Sequence, residues 1–355
     1  MKHPAYQLRH NKAIDRFILL EILKCTKNIS DYTYVSLGGP FLEDFQLVHS
    51  HFPRMKMISL EKNKATFDRQ SFHKITRFIK LKNESYDSFI SNYEIKGKAC
   101  IWLDYTKFDV NCINDFIHTL PKVEERSIVK ITLRSELPEC SEIPYSEISN
   151  ELKGRLNRCI DDALNQNENQ DEIKNRIQNV VNDYFDSVLP RTALLDSLAE
   201  YLPSDYKDKL TDRSSIRILI QQVVMNAANK ALDPSSDLFF MPLNSSYYND
   251  GTEMMSITGI VIKRQDEDKV NREYSNFKFK LKDWYDSPSL IDVPILSTKE
   301  RLYLQKYLPR KKNAGENLHK LLGYKIDDSK SRTIKMLGLY NDFYSYYPVY
   351  EKILL

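Results

Sequence analysis

An open, doubly wound α/β sheet is the fold class this 355-residue sequence predicts, and three observations predict it. First, short apolar runs ending near residues 37, 60, 81, 103 and 133 alternate with amphipathic stretches. That rhythm is the mark of parallel strands covered on both faces by helices. Second, the first run leads into Gly38-Gly39-Pro40, and the second ends at Glu61. Third, two longer β-rich runs, 238–248 and 254–263, flank Asn249-Asp250-Gly251. Asp-Gly between alternating strands is a hairpin signal. The five parallel strands therefore end in an antiparallel hairpin.

Composition bounds the rest. Apolar residues are 41% and charged residues 28%, as in a globular chain of two or three domains. A net charge of +3 exerts no global pull on nucleic acid or anionic membrane. No apolar run has bilayer-spanning length, and no signal-peptide core is visible, so no membrane partner is expected. Five scattered cysteines suggest reduced thiols and a cytoplasmic protein. No metal-ligand spacing occurs: there is no CxxC, and His49 and His51 fall on different helix faces.

Along the chain, residues 12–27 read as a helix with one apolar stripe, interrupted by a polar cluster of Arg9, Lys12, Asp15 and Arg16. The cluster is either a substrate-contacting segment or a solvated face. Residues 32–37 form the first strand. Gly38 and Gly39 let the backbone approach a ligand, and Pro40 tolerates a first helical turn. Glu43 and Asp44 then suit the positive end of a helix over 41–52. Residues 55–60 are the second strand, and Glu61 stands about 22 residues past Gly39, where an acid can hold ribose hydroxyls. Helices follow at 63–75, 86–93 and 111–120, with strands at 77–81, 99–103 and 127–133. The fourth strand ends in Asp104-Tyr105-Thr106, the fifth in Arg134.

The rhythm breaks at residue 137, where Pro138 and Pro144 mark a linker. Four segments result: 1–136, the nucleotide-binding half; 137–212, a polar helical insertion with a loop at 165–170; 213–275, the last sheet helix and hairpin; and 276–355, a small helical appendage. Stretch 265–272 reads as exposed and 277–290 as irregular, while Ser297 to Glu300 is a capping box that starts a helix. Helices near 316–322 and 331–344 complete the appendage.

Strand, glycine turn, helix, strand and acid, with the closing hairpin, resemble the class I S-adenosylmethionine-dependent methyltransferases, a Rossmann-like family, over about 30–135 and 214–263. The resemblance implies S-adenosylmethionine as cofactor. Gly38, Gly39 and Pro40 match the loop for its methionine part, Glu61 the ribose acid, and Asn83 and Glu84 the adenine loop. Asp104 and Tyr105 fall where that family faces the methyl group, Asp104 touching cofactor and acceptor alike. The sequence departs from the pattern at Ser36, where an acid usually ends the first strand, and in a loop poorer in glycine. The flanking Tyr6 to Lys12 and the helical insertion resemble bacterial proteins labelled putative O-methyltransferases.

Methyl transfer needs two positioned reactants and little water, and a base only when the nucleophile carries a proton. Asp104 can be that base or orient the nucleophile; otherwise it caps the strand. Tyr105 can stack on an acceptor or touch the sulfonium; otherwise it packs. Arg134 can bind an anion or form an exposed ion pair. The acceptor is not legible. Two other functions fit the residues: a non-catalytic nucleoside- or nucleotide-binding module, and a nucleic-acid-associated protein using Lys306, Arg310, Lys311, Lys312 and Lys320 beside tyrosines.

Overall fold

The computed structural model describes residues 9–92, 96–136, 145–165, 169–188, 190–206, 213–232 and 234–348. Tyr6 to Leu8 of the flanking segment, the linker prolines Pro138 and Pro144, residues 166–168 of the polar tract and Tyr350 lie outside them.

The first half alternates as expected: α1 (His10–Cys25), β1 (Thr33–Ser36), α2 (Glu43–His51), β2 (Lys56–Leu60), α3 (Lys64–His73), β3 (Ile79–Lys82), α4 (Tyr86–Asn92), β4 (Ala99–Asp104), α5 (Val110–Thr119) and β5 (Ile128–Arg134). The insertion holds α6 (Tyr145–Asn165), α7 (Gln170–Val188) and α8 (Pro190–Ser197). Then come α9 (Arg213–Ala231), β6 (Leu238–Asn249), β7 (Glu253–Lys263), α10 (Glu267–Glu273), β8 (Ser289–Ile291), α11 (Thr298–Gln305), α12 (Ala314–Leu322) and α13 (Lys330–Phe343).

One eight-stranded sheet runs in the order β3-β2-β1-β4-β5-β7-β6-β8. Strands β1 to β5 pair in parallel, and β7 runs antiparallel to both β5 and β6. The chain starts at β1, moves outward to β3, and returns to the other side at β4. The carboxyl ends of β1 and β4 thus flank a topological switch point, where open α/β sheets bind ligands.

Two buried clusters cover the two faces. One joins Val35, Ile101 and Ile131 to α4, α5 and α9. The other joins Tyr34, Trp102 and Ile128 to Ile14 and Ile18 of α1, Phe45 of α2, and Leu304, Leu318 and Leu337 of the last three helices.

Four details differ from the sequence-based reading. Helix α2 starts at Glu43, not at Pro40, because residues 40–41 form a turn and Leu42 takes a left-handed backbone (φ 52°) that buries its side chain. The stretch 265–272 holds α10, which buries Val270. The stretch 277–290 is not wholly irregular: β8 begins at Ser289 and adds a parallel edge strand beside β6. The polar cluster of α1 is no solvated face, since Asp15 is buried and Lys12 and Arg16 are half-buried, although Arg9 is exposed. The capping box forms as written, with Ser297 and Glu300 bonded reciprocally.

Candidate functional site at the carboxyl edge of the sheet

The glycine turn follows β1, in the middle of the crevice. Gly38 is packed: a Cβ there would meet Phe45 Cε2 and Ser59 Oγ at 2.7 Å. Gly39 is exposed, and a Cβ there would meet nothing within 4 Å. The turn is held from α3. The Gln70 amide, fully buried, donates to the Gly38 carbonyl and, at 3.4 Å, to that of Gly39, while it accepts from Ser59 Oγ at 3.2 Å. Arg69 lies over the Phe41 ring at 4.9 Å, and His73 meets that ring edge-on at 5.0 Å. Pro40 is half-buried within this clamped turn. Sequence reading missed Gln70; its signal is one amide on the otherwise exposed or half-exposed face of α3.

Glu61 directly follows β2. Its Oε1 accepts from the Asn63 N–H at 2.7 Å, at the start of α3. Asn83, directly after β3, donates its amide to the Glu61 carbonyl at 2.6 Å and to that of Lys62 at 3.3 Å. The ribose acid and the adenine loop of the resemblance are therefore stitched together. Glu84 pairs with Lys82 at 2.8 Å, both partly exposed.

Asp104 ends β4, one strand away from the glycine turn on the side opposite Glu61. Its Oδ2 accepts from the Lys12 ammonium of α1 at 2.7 Å. Its Oδ1 is buried without a partner among the described residues. Burial pushes the Asp104 carboxyl up, but Lys12, then Arg16 and Lys130, hold it below the usual carboxylate value. A carboxylate kept ionised in this way is a weak base and a lasting hydrogen-bond acceptor. Of the two roles read from the sequence, the geometry favours orientation over proton abstraction.

Tyr105 turns away from this edge. Its hydroxyl donates to Asp115 of α5, and burial with that carboxylate pushes its ionisation far up. That is the packing role weighed against stacking. Arg134 is exposed and pairs with Glu136 at 3.0 Å.

Helix α1 brings in residues that the resemblance does not name. Arg16 pairs with Glu43 at 2.6 Å. Asp44 is buried and accepts from the Tyr34 hydroxyl at 2.7 Å, beside Ser36. An acid from α2 thus stands next to the position where an acid usually ends the first strand. Burial raises the Asp44 carboxyl, against the pull of Arg16 and its hydrogen bonds. Deeper in, Lys130 in the middle of β5 donates to Asp15 at 2.8 Å and lies 4.2 Å over the Trp102 ring. Asp15 also accepts from Ser256 at 3.0 Å. In the first turn of α1, Asp250 of the hairpin turn accepts from the Lys12 N–H at 2.9 Å.

The basic cluster of the appendage stands on the segment joining α11 and α12, save Lys320, which lies in α12. Lys306, Lys311, Lys312 and Lys320 are exposed, and Arg310 lies 5.7 Å from the Tyr307 ring. Among the described residues, no helix is long and apolar enough to cross a membrane. Nor, among them, do three or more histidine, cysteine or acidic side chains gather to hold a metal ion.

Solved structures resemble parts of the chain. A probable spermidine synthase from Corynebacterium glutamicum matches at 11% identity and TM-score 0.32, over 36% of this chain and 48% of that one. A putative S-adenosylmethionine dependent methyltransferase from Listeria monocytogenes matches at 6% and 0.27, over 34% and 54%. Cofactor-bound Rv0187 from MTB matches at 7% and 0.36, over 74% and 85%. The chain thus spans about half the length of the first two, 48% and 54%. No curated protein matches the chain. These likenesses are slight, whereas one family model covers residues 4–355. The chain belongs to that family, described as putative O-methyltransferase.

Proposed function

We propose that this protein transfers a methyl group from S-adenosylmethionine to an oxygen acceptor. The observation that carries this is the ionised Asp104, half paired and half bare, at the switch point, with the open Gly39 standing between it and the ribose-type acid Glu61. The residues fit the cofactor: Gly39 leaves room against the backbone, and Glu61 keeps Oε2 without a hydrogen bond among the described residues. When bound, S-adenosylmethionine supplies an electrophilic methyl on a sulfonium, whose carbon–sulfur electron pair returns to sulfur as the acceptor oxygen's lone pair forms the new bond. Gly38 and Gly39, clamped by Gln70, would receive the methionine part. Glu61 would accept from the ribose hydroxyls, with Asn83 and Glu84 bordering the adenine. Asp104 would orient what enters from the α1 side.

Calorimetry with S-adenosylhomocysteine tests the reading. The wild type should bind. Glu61→Ala should lose charge-assisted hydrogen bonds worth about 1.5–3 kcal/mol, roughly ten- to a hundredfold in affinity. No heat and no thermal stabilisation in the wild type would remove the methyltransferase reading. Equal affinity in the variant would move the ribose site elsewhere.

A further inference from the structure

Three buried polar atoms near the carboxyl edge have no hydrogen-bond partner among the described residues: Arg16 Nε, Asp104 Oδ1 and the Tyr248 hydroxyl. Strand register sets two of them on one face. Asp104 stands opposite Thr132, Thr132 opposite Ser256, and Ser256 opposite Ser246, a single row across β4, β5, β7 and β6. Tyr248 lies two residues beyond Ser246 and therefore shares its face. Helix α1 covers that face, because Asp15 accepts from Ser246 and Ser256 while Lys12 reaches Asp104. Arg16 follows Asp15 on the same helix.

The middle of the row is satisfied. Trp102 Nε1 donates to Thr132 Oγ1 at 2.9 Å, and that hydroxyl shares a 2.8 Å hydrogen bond with Ser256. What remains bare is one donor, one acceptor and one hydroxyl. The three sense one another: the charges of Asp104 and Arg16 both act on the Tyr248 phenol, and that of Asp104 acts on Arg16. Unpaired buried groups are costly, and a bound partner relieves them.

We propose that Asp104, Tyr248 and Arg16 recognise the methyl acceptor as a protonated hydroxyl with a neighbouring oxygen, an alcohol or phenol and not a carboxylate. The inference rests on the methyltransferase reading. The acceptor's O–H donates to Asp104 Oδ1, which takes that proton once the new carbon–oxygen bond makes the oxygen strongly acidic. The Tyr248 hydroxyl donates to one lone pair of the same oxygen, which leaves the other for bond formation. Arg16 Nε donates to the neighbouring oxygen. A carboxylate acceptor brings no proton for Asp104 Oδ1 and sets a second negative charge against it. Burial keeps the Tyr248 phenol protonated, and Lys12 keeps Asp104 ionised, so both groups hold these roles at neutral pH.

The test reads binding with chromophoric probes on protein saturated with S-adenosylhomocysteine. The wild type should bind 4-nitrophenol with its ionisation raised, so that absorbance reports the protonated form at a pH where the free probe is largely phenolate. Tyr248→Phe should weaken binding about three- to tenfold, the worth of one hydrogen bond. Its thermal stability should hold or rise, because the substitution removes an unpaired buried hydroxyl. Asp104→Asn should abolish the raised ionisation. The analogue 2-methoxy-4-nitrophenol should bind several-fold tighter than 4-nitrophenol, an advantage that Arg16→Gln erases. Binding of the phenolate form, unchanged binding in Tyr248→Phe, or no binding by a wild type that takes S-adenosylhomocysteine overturns this inference alone. If Asp104→Asn does not fold, Tyr248→Phe decides. A wild type that refuses S-adenosylhomocysteine instead overturns the methyltransferase reading beneath it.

Discussion

Two adjacent glycines do different work, and the difference makes a prediction. At Gly38 an added methyl would sit 2.7 Å from both Phe45 and Ser59, between α2 and β2. Gly38→Ala should therefore cost about 1–3 kcal/mol of stability through overpacking. Gly39→Ala meets open space and should leave the unfolding midpoint nearly unchanged, while S-adenosylhomocysteine affinity falls. Urea denaturation and calorimetry on both variants separate the roles; a destabilised Gly39→Ala would return that glycine to the turn alone. At this scale the sequence was partly legible. Glycines, a following acid and a strand-end aspartate are local marks, and Gly38, Gly39, Glu61 and Asp104 all stand at strand ends facing one edge. Lys12 was legible only within a polar cluster that read either as substrate-contacting or as solvated, and Gln70 and Tyr248 were not legible as site residues. Each reaches the site only through the tertiary fold, from an opening helix, a crossover helix and a strand more than 200 residues along the chain from α1.

The same limit governs α1 as an element. Its apolar stripe announced a buried helix, but its charges could be read either as substrate-contacting or as a solvated face, because the partners that decide between these lie far along the chain. The partner of Asp15 is Lys130, itself hidden in an apolar strand, 115 residues away. Both groups of the pair are buried, and Ser256 and Ser246 complete the carboxylate's bonds. Breaking such a pair from one side leaves an uncompensated charge. Lys130→Met should cost about 3–5 kcal/mol. Adding Asp15→Leu should recover a substantial part, since a matched apolar pair in that place removes both charges. Denaturation of the single and double variants measures the recovery. If the single variant is as stable as the wild type, α1 is docked by its apolar stripe alone, and the ion pair is incidental to how Lys12 and Arg16 are presented.

For the whole molecule, strand rhythm revealed the sheet, because alternation is a local property. How far the last 80 residues depend on that sheet was not local, and they read as an appendage. In the structure, Leu304, Leu318, Leu337, Tyr340 and Phe343 belong to the same buried cluster as Ile14, Tyr34 and Trp102. The closing helices are fitted tightly to each other as well: a Cβ on Gly315 of α12 would lie 2.0 Å from the Ile334 carbonyl oxygen of α13. The Tyr347 hydroxyl donates to the Pro294 carbonyl at 3.0 Å and accepts from the Leu296 N–H at 2.8 Å, which fastens the end of the described chain to the segment after β8. A chain ending at residue 287 loses β8 and all three helices. Five large buried side chains, at roughly 1.5–3 kcal/mol each, amount to about the whole stability of an ordinary domain, about 5–15 kcal/mol. The truncated chain should therefore show no cooperative thermal transition and should bind no S-adenosylhomocysteine, although every residue read as cofactor-binding is retained. Differential scanning calorimetry and a binding titration on the truncated and full chains check this. A truncated chain that melts cooperatively near the full-length temperature would make the C-terminal helices a dispensable cover. A chain that folds and still binds the cofactor would show that α1 and α2 close that face of the sheet without them.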